Sequence, residues 1–138
     1  MSEKKHLLLQ DAIRSVGEFH EAFGITNRFT PVGELTEKEY TLRFNLMKEE
    51  NEEYLEAAKK GDLVEIADAL GDMLYILCGT LNAHGLQSKI DEVFTEIHRS
   101  NMSKLDENGK PIYREDGKVM KSNRYFKPNI AAIINESK

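Results

Sequence analysis

Apolar residues recur at helical spacing through most of the chain. Leu9, Ile13, Val16, His20 and Phe23 fall on or near one face of a segment from Leu7 to Phe23, the spacing of an amphipathic helix. Gly24 follows as a terminator. Residues 25–35 hold Pro31 and Gly33 and read as a loop. Thr36-x-x-Glu39 has the form of a capping box, so a second helix is expected to run through Leu42, Leu46, Met47, Tyr54 and Leu55 to about Lys60. Its two terminal lysines suit the negative end of the helix dipole. Asp62-x-x-Glu65 opens a third helix, from about Leu63 to Ala83, with Gly85 as its C-cap. A fourth starts near Ser88 and carries Ile90, Val93, Phe94 and Ile97 as its apolar stripe. After Met102 the character changes. Asn108-Gly109 and Asp116-Gly117 are turn signals, and Pro111-Ile112-Tyr113 with Val119-Met120 predict a small hairpin. Pro128 can start a last short helix, Asn129 to Asn135. The pattern predicts an all-α fold of four helices, followed by a small C-terminal β-hairpin and a short terminal helix.

The third helix departs from ordinary amphipathicity. Leu63, Val64, Ile66, Ala67, Leu70, Met73, Leu74, Tyr75, Ile76, Leu77 and Leu81 go almost all the way round it, which predicts burial on every side, by its own bundle or by a partner subunit. Within that apolar surface Glu65, Asp68 and Asp72 share one stripe at i, i+3, i+7. Carboxylates on a buried helix need a partner or a metal, or they protonate. The second helix supplies a matching set in Glu49, Glu50, Glu52 and Glu53. The Lys60-Gly61-Asp62 connection is short enough to make the two helices antiparallel neighbours, which puts 50–53 roughly opposite 68–72. Facing carboxylates form an oxygen-rich cage suited to Mg²⁺ or Mn²⁺, not zinc, and no His/Cys cluster competes with it. Glu65 also fits the N3 place of a capping box, Glu49 can pair with a nearby lysine, and Glu52 and Glu56 read as plain solvated acids.

Length and composition add limits. The 138 residues, 40% of them hydrophobic, suit one domain, 1–138, with a helical core over about 7–103 and a hairpin tail over about 104–138. A core of that size is modest, so self-association is expected. The net charge of −5 argues against nucleic-acid partners. It hides an asymmetry: Glu34 to Asp72 holds 12 acids and 5 bases, whereas Arg99 to Lys127 holds 8 bases and 4 acids. One part suits cations and the other anions. Cys78, the only cysteine, sits in an apolar run and reads as a core residue in a reducing compartment. No leader and no membrane span are apparent, so a cytoplasmic location is expected.

Lys48-Glu49-Glu50-x-x-Glu53, followed by Glu65-x-x-Asp68-x-x-Gly71-Asp72-x-Leu74-Tyr75, resembles the all-α nucleoside triphosphate pyrophosphohydrolases, which include the MazG-like enzymes and phosphoribosyl-ATP pyrophosphohydrolase. The similarity extends to Glu18-Phe19-His20-x-Ala22-Phe23-Gly24, to His98-Arg99-Ser100-Asn101-Met102-Ser103-Lys104, and to Gly117-Lys118-Val119-x-Lys121 with Tyr125-Phe126-Lys127-Pro128. The resemblance implies a four-helix core of the MazG-like type, assembled as a homodimer or higher homo-oligomer. It implies Mg²⁺-dependent cleavage between the α- and β-phosphates, with Glu50, Glu53, Glu65 and Asp68 as metal ligands and Glu49 as the base that activates water. Relatives that place the last acid before a Leu-Leu-Tyr-like run point instead to Asp72, so Glu65, Asp68 and Asp72 form one candidate set.

A triphosphate also needs cationic and hydrogen-bonding partners. Lys104, Lys118, Lys121 and Arg124 of the basic tail are expected to meet the outgoing pyrophosphate. Asn82 and Asn101 are candidates for phosphate or base. His20, on the apolar face of the first helix, reads first as a core histidine and second as a base or sugar contact. The resulting expectation is an enzyme that clears dUTP, dCTP or a non-standard dNTP from the nucleotide pool. The alternatives are phosphoribosyl-ATP hydrolysis in histidine synthesis, or a non-enzymatic dimeric helical module whose acids form interface salt bridges.

Overall fold

The computed structural model describes residues 6–136. The first five residues, which enter the expectation of no leader, lie outside them. The chain divides into two compact units, residues 1–88 and 89–138.

The first unit is three helices: α1 (Leu9–Ala22), α2 (Glu37–Lys60) and α3 (Leu63–His84). Each begins where the sequence offers an acceptor to an orphan backbone N–H. The Asp11 carboxylate accepts from the Leu8 N–H (3.3 Å), Thr36 Oγ1 from the Glu39 N–H (3.1 Å), and the Asp62 carboxylate from the Glu65 N–H (3.1 Å). Gly61 and Gly85 end α2 and α3 in the left-handed region, at φ 65° and 67°. The Gly61 reversal leaves only two residues between α2 and α3, and α3 packs against both α2 and α1. The core is made of Ile13, Val16, Ala57, Ala69, Ile76, Cys78, Leu81 and Ala83. The loop after α1 is tied back to the end of α3: the Arg28 N–H donates to the Asn82 carbonyl (2.8 Å) and the Val32 N–H to the His84 carbonyl (2.9 Å). The Arg28 guanidinium holds both oxygens of Glu39 (3.0 and 3.1 Å) and donates to the Ala83 carbonyl (2.8 Å).

The expectation that α3 is buried on every side is wrong for the single chain. Leu63 is 75% exposed and Val64 80%, and Ala67, Leu70, Leu74, Tyr75 and Leu77 are exposed too. Phe23, expected on the buried face of α1, is also exposed. Three helices cannot surround one of their own number. The packing of α1 and α2 covers one side of α3 and leaves the Leu63–Ala67–Leu70–Leu74–Leu77 seam open.

The second unit holds α4 (Ile90–Met102), β1 (Ile112–Tyr113), β2 (Val119–Met120) and α5 (Ile130–Ile134). The boundary between units falls before α4, whereas the sequence pattern places its change of character after Met102. The reason is that α4 binds the tail. Ser100 Oγ donates to the Phe126 carbonyl (2.8 Å), the Asn129 N–H donates to Glu96 (2.8 Å), and the Arg99 guanidinium lies 4.4 Å from the Phe126 ring centroid. The hairpin pairs Ile112 with Met120 and Tyr113 with Val119. Its turn is closed by Asp116-Gly117, with Gly117 at φ 87°. Among the described residues no helix is long and apolar enough to cross a membrane.

Gly85 is the most tightly packed glycine of the first unit. A Cβ there would run into the Thr30 carbonyl, and the left-handed φ penalises any side chain besides. Gly85→Ala is therefore expected to cost about 2 kcal/mol or more in chemical denaturation, whereas Gly61→Ala, with open space around its Cβ, pays only the φ penalty of roughly 1 kcal/mol.

Candidate functional site

The acids expected to face one another do so. α2 and α3 are packed neighbours across a two-residue reversal, and the Glu50 carboxyl of α2 feels the charges of Asp72 and Asp68 on α3. Its Oε2 is buried with no hydrogen-bond partner. Burial pushes the Glu50 carboxyl up to about 7, helped by a hydrogen bond to Glu53 and by the negative charges of Asp72, Glu53 and Asp68. Glu50 thus stands at the centre of a group formed by Glu53, Asp68 and Asp72. A second arc of acids opens towards solvent: Glu49, Glu52, Glu53, Glu56, Glu65 and Asp68 line a groove of about 510 Å³. Glu53 and Asp68 belong to both.

The structure therefore divides the candidate set. Asp72 is tied to Glu50, and Glu65 to the open groove, where its backbone N–H is also the one capped by Asp62. Glu49 is exposed at the groove edge. Glu52 and Glu56, read as solvated acids, are exposed but line the groove as well, with Glu56 paired to Lys59 at 3.4 Å. Among the described residues no three acidic, histidine or cysteine side chains already stand in ligating geometry. The donors are nonetheless all hard carboxylate oxygens, and the orphaned Glu50 Oε2 has the character of an oxygen that wants a cation. The residues present fit Mg²⁺ or Mn²⁺.

Arg43 is a residue that the sequence pattern did not single out. It is partly buried on α2, where its Nη2 donates to the Ile76 carbonyl (2.9 Å) and its Nε to Thr80 Oγ1 (3.0 Å). Gly79 makes room for it: a Cβ there would stand 2.5 Å from Arg43 Nη2 and 2.9 Å from His20 Nε2. This bolt fixes the register of α2 on α3, and so the spacing of the acids. The available signal was Gly79 itself, a glycine in the interior of an otherwise strong helix pattern.

The other predicted residues are dispersed. His20 is buried, its Nδ1 bonded to Asn27 Oδ1 at 2.9 Å, and burial lowers its pKa, so the core reading describes it. Asn82 is buried near the C-terminal end of α3, its Nδ2 donating to the Ile13 carbonyl (3.1 Å). Asn101, Lys104, Lys118, Lys121 and Arg124 belong to the second unit. There the Lys118 N–H donates to Asp116, Lys121 Nζ lies 4.8 Å from the Tyr125 ring centroid, and Arg124 lines a shallow cavity with Ser103 and Asp106.

Residues 16–101, well over half of the chain, match the phosphoribosyl-ATP pyrophosphohydrolase family. The chain belongs to that family. It is thereby a member of the MazG-like all-α superfamily of nucleoside triphosphate pyrophosphohydrolases. It is also 28% identical over 112 residues to an uncharacterised protein of Acanthamoeba polyphaga mimivirus, a stretch that covers 79% of this chain and 41% of that protein. The chain thus spans about two fifths of the length of this relative. The region matched to the pyrophosphohydrolase family contains every candidate acid, His20, Asn82 and Asn101; Lys104, Lys118, Lys121 and Arg124 lie beyond it.

The Glu50 environment gives a test that needs no substrate. A carboxyl whose pKa is raised from 4.5 to about 7 on folding holds its proton more tightly in the folded state. Its ionisation therefore costs stability as pH rises from about 4.5 through 7. Glu50→Gln removes that cost. With a chelator present, the variant is expected to gain in melting temperature over wild type at pH 8 but not at pH 4.5. Taking the difference between the two proteins cancels His20, whose lowered pKa acts in the opposite direction. Added Mg²⁺ should raise the melting point of wild type and much less that of the variant. Equal pH profiles for both proteins would show that Glu50 is an ordinary solvated acid.

Proposed function

We propose that this protein is a Mg²⁺-dependent nucleoside triphosphate pyrophosphohydrolase, converting a (deoxy)nucleoside triphosphate and water to the monophosphate and pyrophosphate. The observation that carries the reading is Glu50 Oε2, buried and unpartnered among Glu53, Asp68 and Asp72. A group of carboxylates assembled this way lacks its countercharge, and a metal-bound triphosphate brings it. Glu50, Glu53, Asp68 and Asp72 would hold the metal, with Glu65 serving from the open groove; Mn²⁺ is expected to substitute for Mg²⁺. Bound there, the cation neutralises phosphate charge and offsets the repulsion between the acids and the anionic substrate. Glu49, exposed at the groove edge, takes the proton of the attacking water. The water's oxygen joins phosphorus, the α–β bridge breaks, and pyrophosphate leaves.

Phosphoribosyl-ATP is the second reading for the substrate, favoured by the family match itself. The basic tail and the MazG-like flanks favour a role in clearing the nucleotide pool. Measuring monophosphate and pyrophosphate release over a panel of (d)NTPs, dUTP and phosphoribosyl-ATP, with Mg²⁺ and with chelator, separates the two. Turnover of a (d)NTP with metal alone is the expected result, and orthophosphate as the direct product would exclude the reading. Glu50→Gln and Asp72→Asn are each expected to lose at least the roughly 10–100-fold that milder changes around a metal site cost, with the fold retained in circular dichroism. Full activity in either variant would remove that residue from the site. An absence of metal-dependent turnover on every substrate would leave the helical-module alternative.

We also propose that the protein works as a homo-oligomer. The support is the exposed seam of Leu63, Ala67, Leu70, Leu74 and Leu77, spaced alternately four and three residues apart as in a coiled-coil seam, on the side of α3 opposite Glu65, Asp68 and Asp72. The double variant Leu70→Glu, Leu74→Glu is expected to fold and to halve, or further reduce, the mass seen by light scattering. An unchanged mass would show that the seam is not the contact.

A further inference from the structure

The second unit carries two turns built on the same chemistry, an amide or acid side chain followed by a glycine. Asn108-Gly109 lies between α4 and β1, and Asp116-Gly117 between β1 and β2. Both glycines are left-handed, at φ 71° and 87°, and a Cβ on either would meet nothing within 4 Å. All four residues are exposed. In such a pair the glycine nitrogen can attack the side-chain carbonyl carbon before it and close a five-membered ring. A Cβ on the second residue crowds that attack, and glycine has none.

The asparagines of the chain differ in whether this ring can close. Asn45, Asn51, Asn82 and Asn101 lie inside helices, where the next N–H is committed to the helical ladder. Asn27 is held by His20 and the Gly17 carbonyl, and the N–H that follows it donates to the Asn82 carbonyl. Asn123, Asn129 and Asn135 are followed by Arg124, Ile130 and Glu136, each with a Cβ in the way. Asn108 alone is followed by glycine. Its backbone N–H and that of Lys110 both donate to Asp106 Oδ1 (2.9 Å each), but its side-chain amide makes no hydrogen bond among the described residues. The Gly109 N–H donates to the Asp106 carbonyl (3.0 Å), a single bond in an exposed turn that the attack has to break.

Asp116-Gly117 has a similar backbone and the opposite side-chain state. The Arg114 guanidinium donates to the Asp116 carboxylate, Nε to Oδ1 at 3.0 Å, and the Lys118 N–H donates to the same oxygen (3.1 Å). The Arg114 bond first, and the Lys118 bond after it, hold the Asp116 carboxyl below its usual range, so it stays ionised. An ionised carboxylate resists the attack, because the carboxyl has to carry a proton for water to leave. Arg114 thus guards one turn, and Asn108 has no such guard.

We propose that Asn108-Gly109 is a self-modification site, at which the chain converts its own asparagine to aspartate and isoaspartate. The Gly109 nitrogen forms a bond to the Asn108 Cγ while the Cγ–N bond of the side-chain amide breaks. The proton of the Gly109 nitrogen goes to the departing amide nitrogen, which leaves as ammonia, and a cyclic imide remains. A water molecule then adds to one of the two imide carbonyl carbons and opens the ring. Breaking the new bond to Cγ gives aspartate; breaking the original bond to the main-chain carbonyl carbon gives isoaspartate. Either product places a further negative charge beside Asp106 and Glu107, in a stretch that otherwise carries net positive charge. Isoaspartate also lengthens the main chain by one carbon. That pulls the Lys110 N–H away from Asp106 Oδ1 and alters the shallow cavity that Arg124 lines with Asp106, Glu107 and Gly109. The conversion needs neither metal nor substrate, so it stands or falls apart from the reaction proposed above.

The test ages the full, folded chain in buffer at neutral and at mildly alkaline pH. Peptide mass spectrometry locates each amide-to-acid conversion, and methylation by an isoaspartyl methyltransferase counts isoaspartate. Conversion at Asn108 is expected to run at least about tenfold faster than at any other asparagine. It is expected to speed up with pH, since the attacking nitrogen must shed its proton, and to shift the protein by one charge in isoelectric focusing. Asn108→Gln, at an exposed turn, is expected to remove the shift and nearly all of the methylation while circular dichroism stays that of wild type. Arg114→Ala is expected to let isoaspartate form at Asp116, which wild type keeps intact. An Asn108 that retains its amide in the aged folded protein, or another asparagine that converts first, overturns the site. Isomerisation of Asp116 in wild type as fast as conversion of Asn108 overturns the protection by Arg114.

Discussion

Carboxylates brought together without a countercharge are the constraint on which this structure turns. Glu50 Oε2 has no donor, and its neighbours Glu53, Asp68 and Asp72 repel it. A hydrogen bond within α2 links Glu50 to Glu53, but it does not bring the α3 acids to them. They stay together because α2 and α3 pack, through Ala57, Ala69 and Ile76, and because Arg43 crosses from α2 to the Ile76 carbonyl and Thr80. Stability elsewhere in the unit offsets repulsion at one point of it.

The same helix has three kinds of surface. One side of α3 carries the acids and continues to Asn82. Another, with Ala69, Ile76 and Ala83, packs within the unit. The third, from Leu63 to Leu77, is apolar and open. A sequence that is apolar nearly all round α3 thus covers two different surfaces, an internal core and a side that stays open in the single chain.

Arg28 and Gly85 show how a loop becomes part of the scaffold. The left-handed cap at Gly85 brings Thr30 against the end of α3, and Arg28 spans Glu39 and the Ala83 carbonyl. The segment 25–35 has no helix or strand, yet its backbone is fixed at both ends, and Phe29 stands out from it.

Much of the fold was readable from local chemistry. Thr36, Asp62, Gly61 and Gly85 act through hydrogen bonds and φ angles within a few residues of themselves, so they mark the ends of α2 and α3 directly. Asp116-Gly117 marks the hairpin turn in the same way. The facing of Glu50 and Glu53 with Asp68 and Asp72 was also legible, because a short reversal between two helices fixes their register. Other features depend on contacts between residues far apart in the chain. Periodicity says that a helix face is apolar but not what covers it, so the open seam on α3 and the exposed Phe23 were invisible. Arg43 looked like any charge on a helix until Gly79, 36 positions later, was placed beneath it. A cavity walled by Gly17, Phe29 and Asn82 needed α1, the loop after it and the end of α3 at once. Sequence determined the elements and the facing acids, since these follow from neighbours along the chain; only tertiary packing decided which acid loses its solvent, which apolar face stays open and where a cavity remains beside α1.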